Sequence, residues 1–123
     1  MWSFLMQKQT KNKLNMLLQA GKINDLDVEF LNEIDNDLSK YDDGNKEEML
    51  LIHVAMTISR QRNNEMIDVM PADLWQQIEN KPVFQRAKQY WLEKKAKSPI
   101  ILSKDEDQYI IMHIVNVLSK GGH

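Results

Sequence analysis

The sequence predicts an all-α protein, a compact bundle of five main helices with one short extra helix. Glycine and proline number only four and three in 123 residues, so few hinges interrupt regular structure. Apolar residues recur three and four positions apart along most of the chain, which is the period of a helix face. No pair of alternating β-branched runs is joined by a hairpin turn, so strand signals are missing.

The first helix is expected from about Ser3 to Ala20, with Leu14, Leu17 and Leu18 on one face and Gly21 as its stop. The second runs from about Asp25 to Tyr41, where Leu26, Phe30, Ile34 and Leu38 recur every four residues. Asp42-Asp43-Gly44 ends it. The third begins at Asn45, with Glu48 three residues on as in a capping box, and continues to about Arg62. Its middle is apolar nearly all round, the mark of a buried central helix. A looser stretch from Asn63 to Met70 leads to Pro71 and the short helix that holds Leu74, Trp75 and Ile78. Pro82 suits the first turn of the next helix, whose apolar face is Val83, Phe84, Ala87, Tyr90 and Trp91. Ser98-Pro99 breaks it. The last helix is expected from Ser103, with Glu106 completing a second capping box, to just before Gly121-Gly122.

A chain of this length makes one domain, expected over residues 1–120, with 121–123 as a disordered tail. Absence of cysteine excludes disulfides, thiolate zinc sites, iron–sulfur clusters and a catalytic thiol. The longest apolar stretch, Met49 to Met56, is interrupted by His53 and falls far short of the roughly 18 residues of a membrane span. Nothing at the N-terminus has the apolar core of a signal peptide. A cytoplasmic protein without membrane contact is the expectation.

The formal net charge is −2, which argues against direct nucleic-acid binding, since that needs a basic surface. The average conceals an asymmetry. Between Asp25 and Glu48, ten acids face only Lys40 and Lys46; between Lys81 and Lys104, seven bases face only Glu93. These are either two solvated helix faces of opposite sign or a surface that steers a charged partner.

Chemistry has few places to sit. No nucleophile elbow, phosphate-cradling loop or dinucleotide fingerprint is present. Histidine occurs only at 53, 113 and 123. No catalytic residue, metal site or cofactor is therefore expected, and the protein is read as not an enzyme. His53 and His113 each interrupt an otherwise apolar helical face, where an imidazole is costly unless it is hydrogen-bonded or used. Arg60 lies seven residues after His53, on the same face, and Asn116 one turn after His113. A guanidinium there lowers imidazole basicity and offers donors to an arriving oxyanion.

The segment with Leu50, His53, Val54, Ile58 and Arg60, with Thr57 where a small alanine is usual, resembles the first motif of the phosphotransferase-system regulation domains, or PRDs. These are modules of bacterial transcriptional antiterminators and activators. Asp105, Glu106, Tyr109, Ile110, His113, Ile114, Val115 and Asn116 resemble the second motif. The resemblance spans nearly the whole chain and implies a free-standing single module without its own output domain. It implies phosphorylation at His53 and His113, with Arg60 and Asn116 beside the phosphoryl group. The implied donor is the phosphocarrier protein or an enzyme II component, and the implied assembly is a homodimer. Such a module acts on transcription of sugar-use genes through a partner. Ile52 stands where antiterminators often carry an acid, which leaves open a second reading, a dimerisation or docking module with structural histidines.

Overall fold

The computed structural model describes residues 1–42 and 44–121, with side chains through Ser119. It is all-helical, with α1 (Lys8–Gln19), α2 (Asp25–Leu38), α3 (Asn45–Arg62), α4 (Ala72–Glu79), α5 (Phe84–Lys95) and α6 (Lys104–Gly121). Among the described residues there is no strand. The short extra helix is α4, with eight residues. α3 is the central helix: it packs against α1, α2 and α6, and α6 in turn meets α4 and α5.

Burial follows the apolar periodicity. Leu14 of α1, Phe30, Leu31 and Ile34 of α2, Leu50, Leu51, Val54 and Ile58 of α3, Trp91 of α5, and Ile110 and Ile114 of α6 form one continuous core. Trp91 is fully enclosed, edge-on to Phe30, and its indole N–H donates to Asp107 Oδ1 at 2.8 Å. That bond satisfies the one polar atom of the largest core side chain.

Helix ends explain where the chain turns. Gly21 stands at φ +76°, its N–H bonds Leu18 O, and Lys22 N–H bonds Leu17 O. This is a Schellman stop, which needs a left-handed residue. Asn64 does the same after α3 at φ +58°, with Glu65 N–H returning to Arg60 O at 2.8 Å.

Several terminal details depart from the pattern-based expectations. α1 starts at Lys8, not near Ser3, because residues 3–6 form a turn held elsewhere. Ser3 N–H donates to Asn32 Oδ1 at 2.7 Å and Ser3 Oγ to Asn36 Oδ1 at 3.0 Å. Trp2 packs on the core, whereas Phe4 and Leu5 face outward. Leu26 is 62 % exposed, so the buried face of α2 is shifted to Asp27, Val28, Phe30 and Leu31. The α3 box does not form. Asp42 instead accepts from the N–H groups of Gly44 and Lys46, at 2.8 and 3.2 Å. Glu48 is turned to α1, where Thr10 Oγ1 and Lys13 Nζ reach it at 3.0 and 2.9 Å. A capping box does close α2, between Asn24 and Asp27. At α6, Ser103 N–H goes to Gln61 Oε1 at 2.9 Å, and Glu106 is engaged across the bundle. Pro82 lies in the turn before α5, where Phe84 N–H bonds Lys81 O at 3.1 Å. α6 extends to Gly121; Gly122 and His123, the rest of the expected tail, lie outside the described residues.

Candidate functional site

His53, Thr57 and Arg60 recur at four and three residues along α3, so they share one face. Glu106, Tyr109 and His113 share a face of α6 in the same way. The two helices meet antiparallel along these faces: His53 lies against His113, and Arg60 against Glu106. A side-chain ladder with two imidazoles at one end and an ion pair at the other follows from that register.

The imidazole rings of His53 and His113 are 4.8 Å apart between centroids, inclined at 43°. Tyr109 stacks over His53 at 6.0 Å. Both histidines are half-buried. Nε2 of His53 is enclosed and has no hydrogen-bond partner. Glu106 Oε1 is 3.9 Å away from it, too far for a hydrogen bond. That carboxylate belongs to Arg60. Arg60 Nε donates to Oε2 at 3.0 Å and Nη2 to Oε1 at 2.9 Å, while Thr57 Oγ1 adds a bond to Oε1 at 3.2 Å. Glu106 is wholly buried, yet both oxygens are satisfied, as a buried charge requires.

Electrostatics keep both rings neutral. Burial is the largest cause holding His53 down to about 4, followed by the neighbouring His113 and the Arg60 guanidinium. His113 is also lowered, by burial and then by Lys46 on the first turn of α3. An uncharged imidazole is a competent nucleophile or ligand at neutral pH wherever a ring nitrogen can be reached.

The four residues expected to form a site are therefore placed unequally. His53 and His113 come together, and Arg60 joins them through its effect on His53. Asn116 lies one turn beyond His113 on α6, half-buried, with no hydrogen bond to either histidine. Pattern reading missed Glu106 as the partner of Arg60. The signal was present, since Glu106 precedes His113 by seven residues just as Arg60 follows His53 by seven. Thr57 and Tyr109 complete the cluster for the same reason of helical phase. Among the described residues, no three histidine or carboxylate side chains converge to hold a metal, and no helix is long and apolar enough to cross a membrane.

The bundle thus presses two imidazoles together at the α3–α6 seam beside a buried arginine–carboxylate pair. Residues 28–117 match the PRD domain family, and the chain belongs to that family of phosphotransferase-system regulatory modules. No curated protein and no solved structure matches it significantly.

Proposed function

We propose that this chain is a regulatory module that accepts a phosphoryl group on His53 or His113 and reports it to a partner governing transcription of sugar-use genes. The donor is the phosphocarrier protein or an enzyme II component. The observation that carries this reading is the pair of imidazoles, 4.8 Å apart between centroids at the α3–α6 seam, with Nε2 of His53 lacking a hydrogen-bond partner. A docking module with purely structural histidines would keep such an enclosed ring nitrogen satisfied.

The step balances without a cofactor. A lone pair on the acceptor imidazole attacks the phosphorus of the donor's phosphohistidine; a new N–P bond forms as the donor's breaks. The acceptor ring sheds its N–H proton to water, and the donor imidazole regains one. The product carries roughly −1.5 to −2 charges, the figure for other phosphorylated side chains, beside Arg60. That arginine then has two claimants, the phosphoryl group and Glu106, so the α3–α6 contact is the element this modification biases. The reading places the protein in the bacterial cytoplasm as a homodimer, without catalytic activity or direct contact with nucleic acid.

Incubation with phosphoenolpyruvate, enzyme I and the phosphocarrier protein, or with an enzyme II component, tests it by mass spectrometry under conditions that preserve phosphohistidine. One adduct of phosphoryl mass is expected, lost in His53→Ala or His113→Ala. Label that survives in the double variant, or no label from either donor, overturns the assignment.

A further inference from the structure

A second feature lies away from the histidines, where the end of α2 meets α5 and the last turns of α6. Here a groove of about 590 Å³ opens, a volume within the range of small-molecule sites. It is where side chains from the end of the acidic α2 reach the basic α5, and the charges at their junction do not cancel.

Part of the charge has a structural explanation. Asp37 accepts from the Tyr90 hydroxyl at 2.7 Å and pairs with Lys94 at 3.0 Å, which locks α5 to α2 and uses both. Three cations are left over. Among the described residues, no carboxylate is within ion-pair distance of Lys40, Arg86 or Lys97. Arg86 donates from Nη2 to the Tyr41 hydroxyl at 3.0 Å. Its guanidinium and the Lys40 ammonium lie 5.5 and 5.3 Å from the Tyr41 ring centre, so one tyrosine at the groove wall is within cation–π reach of both. The remaining N–H groups of Arg86 stay available for an oxyanion. Lys97 lines the same groove from the end of α5.

From this geometry we infer that the groove binds a singly phosphorylated, hydroxyl-rich small molecule of sugar-phosphate size. Lys40, Arg86, Lys94 and Lys97 stand in the wall against Asp37 and Glu93, an excess of positive charge that suits a dianion better than a monocarboxylate, and a guanidinium fork matches phosphate oxygens. The volume far exceeds one phosphate and leaves room for a body. Asn36 accepts from Ser3 through its oxygen and retains its amide N–H groups, while Gln89 donates to Glu93 at 3.4 Å and leaves the second carboxylate oxygen to accept a sugar O–H. The same Glu93, with Asp37, repels a second phosphate at that end. Tyr41 and Tyr90 line the groove together with Leu38 and Leu118, and a tyrosine ring there can pack against the apolar face of a sugar. This site stands apart from the histidine pair and does not depend on its phosphorylation.

Amide-resolved NMR titration of the full chain with glucose 6-phosphate, glucose and inorganic phosphate, at constant ionic strength, tests the inference. Arg86 and Lys97 are solvent-exposed, so Arg86→Gln with Lys97→Gln leaves the fold intact, which circular dichroism verifies. Saturable shifts from glucose 6-phosphate, confined to the end of α2 and to α5, are expected, with affinity at least about tenfold weaker in the double variant. Glucose should give none. No saturable binding, affinity unchanged in the variant, or equal binding of inorganic phosphate overturns the assignment.

Discussion

Arg60 and Glu106 join α3 to α6 by two parallel hydrogen bonds, 3.0 Å from Nε to one oxygen and 2.9 Å from Nη2 to the other. The arginine keeps about a fifth of its surface in solvent, whereas the glutamate has none. This asymmetry decides which substitution hurts more.

Arg60→Met leaves a carboxylate buried with only Thr57 as donor. Removing one partner of a buried pair costs about 3–5 kcal/mol, and partial exposure of the arginine favours the lower figure. Glu106→Gln leaves the arginine free to reach water and retains an acceptor for Thr57, so it costs less, about 1–2 kcal/mol. Urea unfolding of the two variants should give that order, and Arg60→Met with Glu106→Leu should recover part of the loss. Equal costs would show that the pair behaves as a surface contact.

The fold resists protonation of His53, which gives stability a defined pH dependence. Above pH 6.5 the ring is neutral whether folded or unfolded and contributes nothing that varies. As pH falls from about 6.5 to about 4, the unfolded chain takes up a proton that the folded chain refuses, so stability declines. At about 1.4 kcal/mol per pH unit the loss approaches about 3 kcal/mol. His113 acts in the same direction. Glu48 is lowered by Lys13 foremost and loses its own contribution only at more acid pH, so wild type must be compared with His53→Gln. Between pH 7.5 and 4.5 the wild type should lose about 2 kcal/mol more than the variant. Parallel losses would contradict the burial of this ring.

Asp27 serves two ends at once. Its carboxylate accepts from Asn24 N–H at 2.8 Å to close the α2 box, and from Arg62 at 2.7 and 2.9 Å to tie the start of α2 to the end of α3. Asn24→Ala removes only the cap and should cost about 1 kcal/mol. Asp27→Ala keeps the backbone N–H that bonds Asn24 but removes the reciprocal bond to Asn24 N–H and the Arg62 clamp, and should cost about 2–3 kcal/mol by thermal or urea unfolding. A cost for Asp27→Ala no larger than for Asn24→Ala would mean that the Arg62 bridge adds nothing.

The fold class was legible because burial obeys helical phase: Leu50, Val54 and Ile58 are enclosed as their spacing demands. The site was half legible. His53 and His113 stood out as imidazoles on apolar faces, and Arg60 by its phase. Glu106 was misjudged because three residues from Ser103 is also the spacing of a cap. Local sequence gives both readings equal standing, and only the register between α3 and α6 decides. Asp42 was missed for a similar reason, since a carboxylate three residues before a helix competes with nearer residues for the same N–H groups. Leu26 shows the converse error. A four-residue repeat drifts around a helix of 3.6 residues per turn, and at the first turn of α2 it has drifted into solvent.

The contact between α1 and α3 bears on where this molecule may be cut. Thr10 and Lys13 hold Glu48, a side chain only 8 % exposed, and Leu14 is fully enclosed in the common core. The segment shared with the PRD family begins at residue 28, after α1 has ended. A fragment trimmed to that segment would strand a carboxylate without its donors and uncover the apolar seat of Leu14. The packed core of this chain therefore extends beyond the segment it shares with its family, and an expression fragment should include α1.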